Sequence, residues 1–244
     1  MALESLTKAG FQVEFHSHAL AILGSDFPDA IAELESALLG QRIPIVEIVG
    51  SGGGETKGTQ RLRKALSDLG WTKYTFEIKK IINQVERESQ SHEVDHVRQF
   101  PDGKLVALEI EWNNKDPFFD RDLENFKRLH AEGAISVGII VTRGESLQDN
   151  MRELVLNFAN SHKLEGPADL AALDLHPTRR QLADYERRMT SGASFAEAWA
   201  SGFVQDKYGA STTHWRKLQD RVARGVGNPC PLVLIGLPDS IVEF

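Results

Sequence analysis

The sequence predicts an α/β (α+β) fold in which a central mixed β-sheet is flanked by helices. Three observations carry this. Residues 93–99 and 104–112 read as strands on either side of Phe100-Pro101-Asp102-Gly103, a strong turn signal, so they form a β-hairpin. Residues 134–142 are a near-continuous apolar run of the kind found in parallel strands buried on both faces. Helical-period segments surround these strands, and residues 232–237 return to a strand pattern, so the chain ends on the sheet.

Residues 21–39 place Ile22, Ile31, Leu34, Ala37 and Leu38 at helical spacing, with Asp26-Phe27-Pro28 as a start signal. Residues 43–49 are a short β-branched run and predict a strand, ended by Ser51-Gly52-Gly53-Gly54. Residues 59–69 read as a helix that stops at Gly70, and residues 76–85 fit helix and strand alike. Beyond the hairpin, residues 120–130 form an amphipathic helix, and 147–160, 179–189 and 195–203 are further helices. Residues 215–224 are a basic helix. There is no internal repeat and no low-complexity linker. One domain over residues 1–244 is expected, with a helical part (1–40), a core (41–160) and a helical region leading to the last strand (161–244).

With 41% hydrophobic and 26% charged residues, a chain of 244 residues can bury a sizeable core. No apolar run approaches a membrane span, and the N-terminus lacks the blocks of a signal peptide. Cys230, the single cysteine, excludes an internal disulfide framework and a multi-cysteine zinc site. Together these features point to a reducing cytoplasm. The net charge of −7 weighs against nucleic-acid binding when taken alone, because phosphate contacts need local positive charge. A net charge does not report its distribution, however, and an acidic metal cluster can sit beside a basic cleft.

The hairpin permits geometry. A three-residue turn at 101–103 sets Phe100 opposite Lys104, and counting back sets Asp95 opposite Glu109, with Cβ atoms about 5 Å apart. Side chains alternate along a strand, so Glu109 and Glu111 share a face while Leu108 and Ile110 take the other. Three carboxylates thereby converge. Without a cation they repel and raise one another's pKa. A hard divalent ion such as Mg²⁺ resolves this with one or two carboxylates, water and substrate phosphate. A solvated acidic face is the competing reading, but these acids interrupt an apolar strand, Leu105-Val106-Ala107-Leu108-Glu109-Ile110-Glu111-Trp112.

The stretch His92-Glu93-Val94-Asp95-His96-Val97, then Leu108-Glu109-Ile110-Glu111-Trp112-Asn113-Asn114-Lys115-Asp116-Pro117-Phe118-Phe119-Asp120-Arg121-Asp122-Leu123, resembles the BglII/BstYI-type restriction endonucleases. These are a BamHI-related branch of the PD-(D/E)XK nucleases. Gln60-Arg61-Leu62-Arg63, Gly70-Trp71, Ser211-Thr212-Thr213-His214-Trp215 and Pro231-Leu232-Val233-Leu234 are similar as well, so the resemblance covers roughly residues 40 to 240. It implies a type II enzyme that cuts double-stranded DNA at a specific site with Mg²⁺, acting as a homodimer and protected against by a cognate methyltransferase. It also implies that Asp95 and Glu109 bind the metal. Glu111 falls where the superfamily usually has Lys and the BglII branch has Gln; Glu is the BamHI-like choice. It leaves Glu111 as a base, a water-orienting group or a ligand to a second ion.

Asn114 matches an Asn that contacts bases in that branch, with Asn113 beside it; a plain turn after the strand is the alternative. Ser211, Thr212, Thr213 and His214 feed the basic helix carrying Arg216, Lys217, Arg221 and Arg224, an arrangement suited to a groove and its phosphates or to an ordinary cap and solvated face. Arg61, Arg63 and Lys64 fit phosphate contacts and an exposed helix face equally. Glu77 is a candidate further acid, and His92 a candidate contact to the scissile phosphate; His96 falls on the opposite period from Asp95, a packing position. Residues 51–58 lack the order of a Walker loop. Two other functions share these features: a repair or structure-specific nuclease of the same fold, and a non-catalytic DNA-binding module.

Overall fold

A computed structural model describes residues 2–50, 56–115 and 117–244. The glycine run after residue 50 and Asp116 lie outside the described residues. Helix α1 (Glu4–Lys8) leads into β1 (Gln12–His16), then α2 (Ala19–Asp26) and α3 (Pro28–Leu39). The predicted helix over 21–39 is thus two helices. Pro28 opens the second at its first position, where a missing N–H costs nothing.

Residues 43–49 correct the strand expectation. Only β2 (Ile43–Pro44) is extended, and α4 (Ile45–Val49) follows. Ile45, Ile48 and Val49 are the buried side chains, a spacing that belongs to a helix whatever the β propensity of the residues. Helix α5 (Lys57–Asp68) is capped by Thr56, whose hydroxyl accepts from Thr59 N.

The ambiguous segment at 76–85 resolves as a second hairpin. Strand β3 (Thr72–Ile82) pairs antiparallel with β4 (Val85–Gln99) around Asn83 and Gln84, both at positive φ. Its outer half is exposed on both faces, so the apolar alternation that marks a strand is missing there. Strand β4 then turns into β5 (Leu105–Glu111) through the expected three-residue turn: Phe100 N donates to Lys104 O at 3.0 Å, and Gly103 takes φ 83°. The chain continues as α6 (Phe118–Ala131), β6 (Val137–Arg143), α7 (Glu145–Ser161), α8 (Pro167–Ala172), α9 (Arg179–Thr190), α10 (Phe195–Tyr208), α11 (Trp215–Ala223), β7 (Leu232–Leu237) and β8 (Val242–Glu243).

Among the described residues six strands form one sheet in the order β1-β7-β6-β5-β4-β3. Its centre, β5-β6-β7, is parallel; β1, β4 and β3 pair antiparallel to their neighbours. All of β6 and β7 is buried, as predicted for strands covered on both faces. One face packs Val106, Leu108, Ile139 and Ile235 against α3 and α7. The other packs Ala107, Ile140 and Leu234 against Phe119, Leu123 and Phe126 of α6 and Trp215 of α11. By alternation Glu109 and Glu111 belong to this second face, under α6.

The closeness of α6 to the sheet depends on Gly138. A Cβ there would meet Phe126 Cδ2 at 2.5 Å. Gly138→Ala is therefore expected to destabilise the fold by about 1–3 kcal/mol through overpacking. Thermal unfolding checks this, at roughly 2–4 °C of Tm per kcal/mol for a chain of this length.

Candidate active site

The site forms where β4 and β5 part. Their ladder runs from Gln99↔Leu105 to His96↔Leu108 and goes no further as paired strands. The register expected from the turn is the one observed, and Asp95 comes to the side of Glu109. What the sequence did not announce is an irregularity in the pairing of β3 with β4. Thr72 pairs with Val97 but Tyr74 pairs with Val94, so β4 carries one extra residue at Asp95–His96. Such a bulge bends a strand and re-aims a side chain. It lets Val94 and Val97 pack into the same core and turns Asp95 towards the cleft.

The cleft has a volume of about 620 Å³ and is lined by Arg63, His92, Asp95, Glu109, Glu111 and Arg121, among others. Its acids differ in setting. Asp95 is at the rim, where Arg63 Nη2 donates to its Oδ2 at 3.2 Å and Lys73 Nζ stands 3.6 Å from Oδ1. Glu109 and Glu111 are 6% and 3% exposed. Burial first, then the negative charges of Asp122, Asp95 and Glu111, pushes Glu109 up to about 9, while the Asp95 backbone N–H opposes the shift. Burial and the neighbouring Asp122 push Glu111 up to about 8, against a hydrogen bond from Asn114 and the charge of Arg121.

Asp122 is the residue that sequence reasoning missed. It lies fully buried on α6, in the same apolar stripe as Phe119, Leu123 and Phe126. Arg121 Nε donates to its Oδ1 at 2.8 Å, and Arg121 Nη2 stands 3.7 Å from Glu111 Oε1. The other oxygen, Oδ2, is buried without a hydrogen-bond partner among the described residues, and Asp122 is the largest influence after burial on the raised Glu111. A carboxylate on an otherwise apolar helical stripe was the available signal.

The remaining candidates differ in where the fold places them. Asn114 is drawn into the site: its side-chain amide donates to Glu111 Oε2, and its backbone O accepts from Thr213 N at 2.8 Å. Lys115 and Thr212 form an antiparallel bridge, so the segment after β5, with Asn113, lies against the Ser211–His214 loop. Within that loop Ser211 is exposed, whereas Thr212 and Thr213 are buried and the Thr212 hydroxyl accepts from Arg143 Nη2 at 2.7 Å. His214 is half-buried, and burial with the charge of Arg143 pushes its imidazole down to about 4. Arg216 is at the surface and forms a bidentate pair with Asp149 at 2.7 and 2.6 Å.

His92 lines the cleft, with Nε2 buried and its pKa lowered by burial and then by Arg128. Glu77 is not brought in; it is exposed on β3 beside Lys79, at 3.0 Å. His96 is buried, and its Nδ1 donates to Leu108 O at 3.3 Å. On α5, Arg61 is taken up by Glu47 and Lys64 by Asp68, leaving Arg63 as the member of that trio that reaches the acids. Among the described residues, no three His, Cys, Asp or Glu side chains close into a ready-made cation cage. The three acids of the hairpin converge as neighbours, with Asp95 held towards its cationic partners.

A mixed sheet with buried acids at the opening of a hairpin, under a cleft rimmed by arginines, defines a class: a hydrolase scaffold suited to phosphodiesters, a nuclease. The family model of restriction endonuclease BglII/BglIII matches residues 11–237. The chain belongs to this restriction endonuclease family and is a type II site-specific deoxyribonuclease. Comparison with individual curated proteins finds no match. The matched region begins earlier than the resemblance read from the motifs and takes in β1.

The raised acids have a consequence for stability. Between the ordinary value of 4.5 and the folded values of about 9 and about 8, Glu109 and Glu111 stay protonated in the folded chain and ionise in the unfolded one. The unfolded state then binds fewer protons, so stability falls as pH rises through this window. Metal-free protein in EDTA is expected to lose Tm between pH 5.5 and 8, and Glu109→Gln to flatten that slope. A Tm equal at both pH values in the wild-type chain would sink the assignment.

Proposed function

We propose that the chain hydrolyses both strands of double-stranded DNA at a specific site, as a Mg²⁺-dependent homodimer. The observation that carries this reading is the pair of buried carboxyls, Glu109 and Glu111, beside Asp95, with too few cations to compensate them. The donor set suits Mg²⁺: oxygen atoms only, open to the cleft, and few enough to leave room for water and phosphate. Asp95 and Glu109 would hold the ion. When bound, Mg²⁺ lowers the pKa of a coordinated water and offsets charge on the phosphodiester.

The chain's own residues do the rest. Glu111, set between Asp122, Arg121 and Asn114, is placed to hold or take a proton at its carboxylate. Arg63 and Arg121 supply positive charge at the rim, and His92 lines the same cleft. Asn113, Asn114, Ser211, Thr212, Thr213 and His214 are assigned to DNA recognition, and Arg216 to phosphate. Of these, the exposed Ser211 and Arg216 and the half-buried Asn113 and Asn114 are the accessible ones. A cognate methyltransferase would protect the host's own sites.

Digestion of phage DNA by purified protein tests this. Discrete fragments are expected with Mg²⁺ and none with EDTA. Glu109→Ala is expected to lose more than about 100-fold, the upper range for losing even an outer partner of a metal ligand. A smear in place of discrete bands, or full cutting in EDTA, would refute the specific or the metal-dependent half respectively.

A further inference from the structure

Arg143, the last residue of β6, is fully buried in a chain segment that is otherwise apolar except for Thr142. Buried cations are ordinarily paired with carboxylates. Among the described residues this one is not. Its donors go to neutral acceptors instead: Nε to Trp112 O at 2.7 Å, Nη1 to Gln148 Oε1 at 2.6 Å, and Nη2 to Thr212 Oγ1 at 2.7 Å and Thr213 O at 2.6 Å. The ring of Tyr208 lies 5.0 Å away, across the guanidinium.

These acceptors belong to three separate parts of the chain, of which Gln148 lies on α7. Trp112 directly follows Glu111 at the end of β5. Thr212 and Thr213 lie 100 residues further on, in the loop before α11. The two segments also meet directly, through the Lys115↔Thr212 bridge and Thr213 N to Asn114 O, and Asn114 reaches back to Glu111. A planar fork with fixed donor directions sets the relative position of its acceptors in a way that a point charge cannot.

We infer that Arg143 is a positioning residue that ties the 211–214 loop to the end of β5, so that the seating of that loop on DNA sets the position of Glu111. The inference rests on the reading of Asp95, Glu109 and Glu111 given above. A loop that engages the correct bases reaches the reacting centre by two routes. One runs through Thr212, Thr213 and Arg143 to the Trp112 carbonyl, and the other through Asn114 to Glu111.

The test is steady-state cleavage of a short duplex holding the mapped site, and of duplexes altered by one base pair. Wild type, Arg143→Lys and Thr212→Val are compared at a temperature where each is folded, with rates taken per folded molecule. Both variants are expected to lose about 10–100-fold in kcat, as for outer partners of a reacting centre, and for Arg143→Lys, which contacts no DNA in this reading, KM for DNA stays near wild type. The ratio of cutting at the mapped site to cutting at altered sites is expected to fall with kcat. If Arg143→Lys does not fold, Thr212→Val alone decides, since it removes the acceptor at the loop end. Lower Tm with unchanged kcat and unchanged site preference would overturn the inference and leave the active-site reading intact. Cutting by Glu109→Ala run alongside would overturn the active-site reading itself, and this inference with it.

Discussion

Two carboxyls buried at the C-terminal end of a central strand set the terms for everything around them. Glu109 and Glu111 sit on the face of β5 that α6 covers, largely buried at the edge of the cleft, where their charge is poorly solvated. An ionised carboxylate in such a place is costly unless paired. The fold supplies only part of the pairing. Arg121 is shared between Asp122 and Glu111, and Arg63 and Lys73 are spent on Asp95 at the rim. Asp122 adds a further negative charge beneath the pair. Burial, together with this uncompensated negative charge, holds both carboxyls well above the ordinary carboxylate range.

The acidic net charge and a DNA substrate are reconciled by where the cations lie. The chain carries −7, yet the arginines nearest the acids already hold carboxylate partners. The Arg63–Asp95 pair is part-exposed, and exposed ion pairs are worth little, about 0–1 kcal/mol, so that partner is readily replaced; Arg121 is held by the buried Asp122. On the proposed reading, a divalent ion held by Asp95 and Glu109 would compete with Arg63 for Asp95, leaving that guanidinium available to a phosphate group. Metal and phosphodiester would then satisfy opposite halves of one set of charges.

Much of this was legible in the sequence where local rules act alone. The turn Phe100-Pro101-Asp102-Gly103 fixed the hairpin register, and alternation fixed the shared face of Glu109 and Glu111. The all-apolar β7 and the Pro28 helix start were equally plain. What stayed hidden depends on contacts between distant segments. Residues 45–49 are β-branched but helical because Ile45, Ile48 and Val49 must face one core. The bulge at Asp95–His96 arises from the pairing of β3 with β4, a strand whose exposed outer half gave no periodic signal. Asp122 became a site residue only once α6 was laid over β5.

Arg143 shows the same division at the scale of the whole site. The apolar run that predicts its strand stops at residue 142, one short of the Arg143 that closes β6. Its meaning required the five acceptors that the fold collects from Trp112, Gln148, Tyr208, Thr212 and Thr213. Each of those is a neutral oxygen, so the guanidinium is held by geometry and not by a countercharge that could be traded away. Displacing it would leave several buried acceptors unsatisfied. The ion pairs of Arg63 and Lys73 with Asp95 are part-exposed at the mouth of the cleft, whereas Arg143 is fixed behind it. On the inference drawn above, that fixed fork is what would keep the end of β5, which carries Glu109 and Glu111, in place against the 211–214 loop.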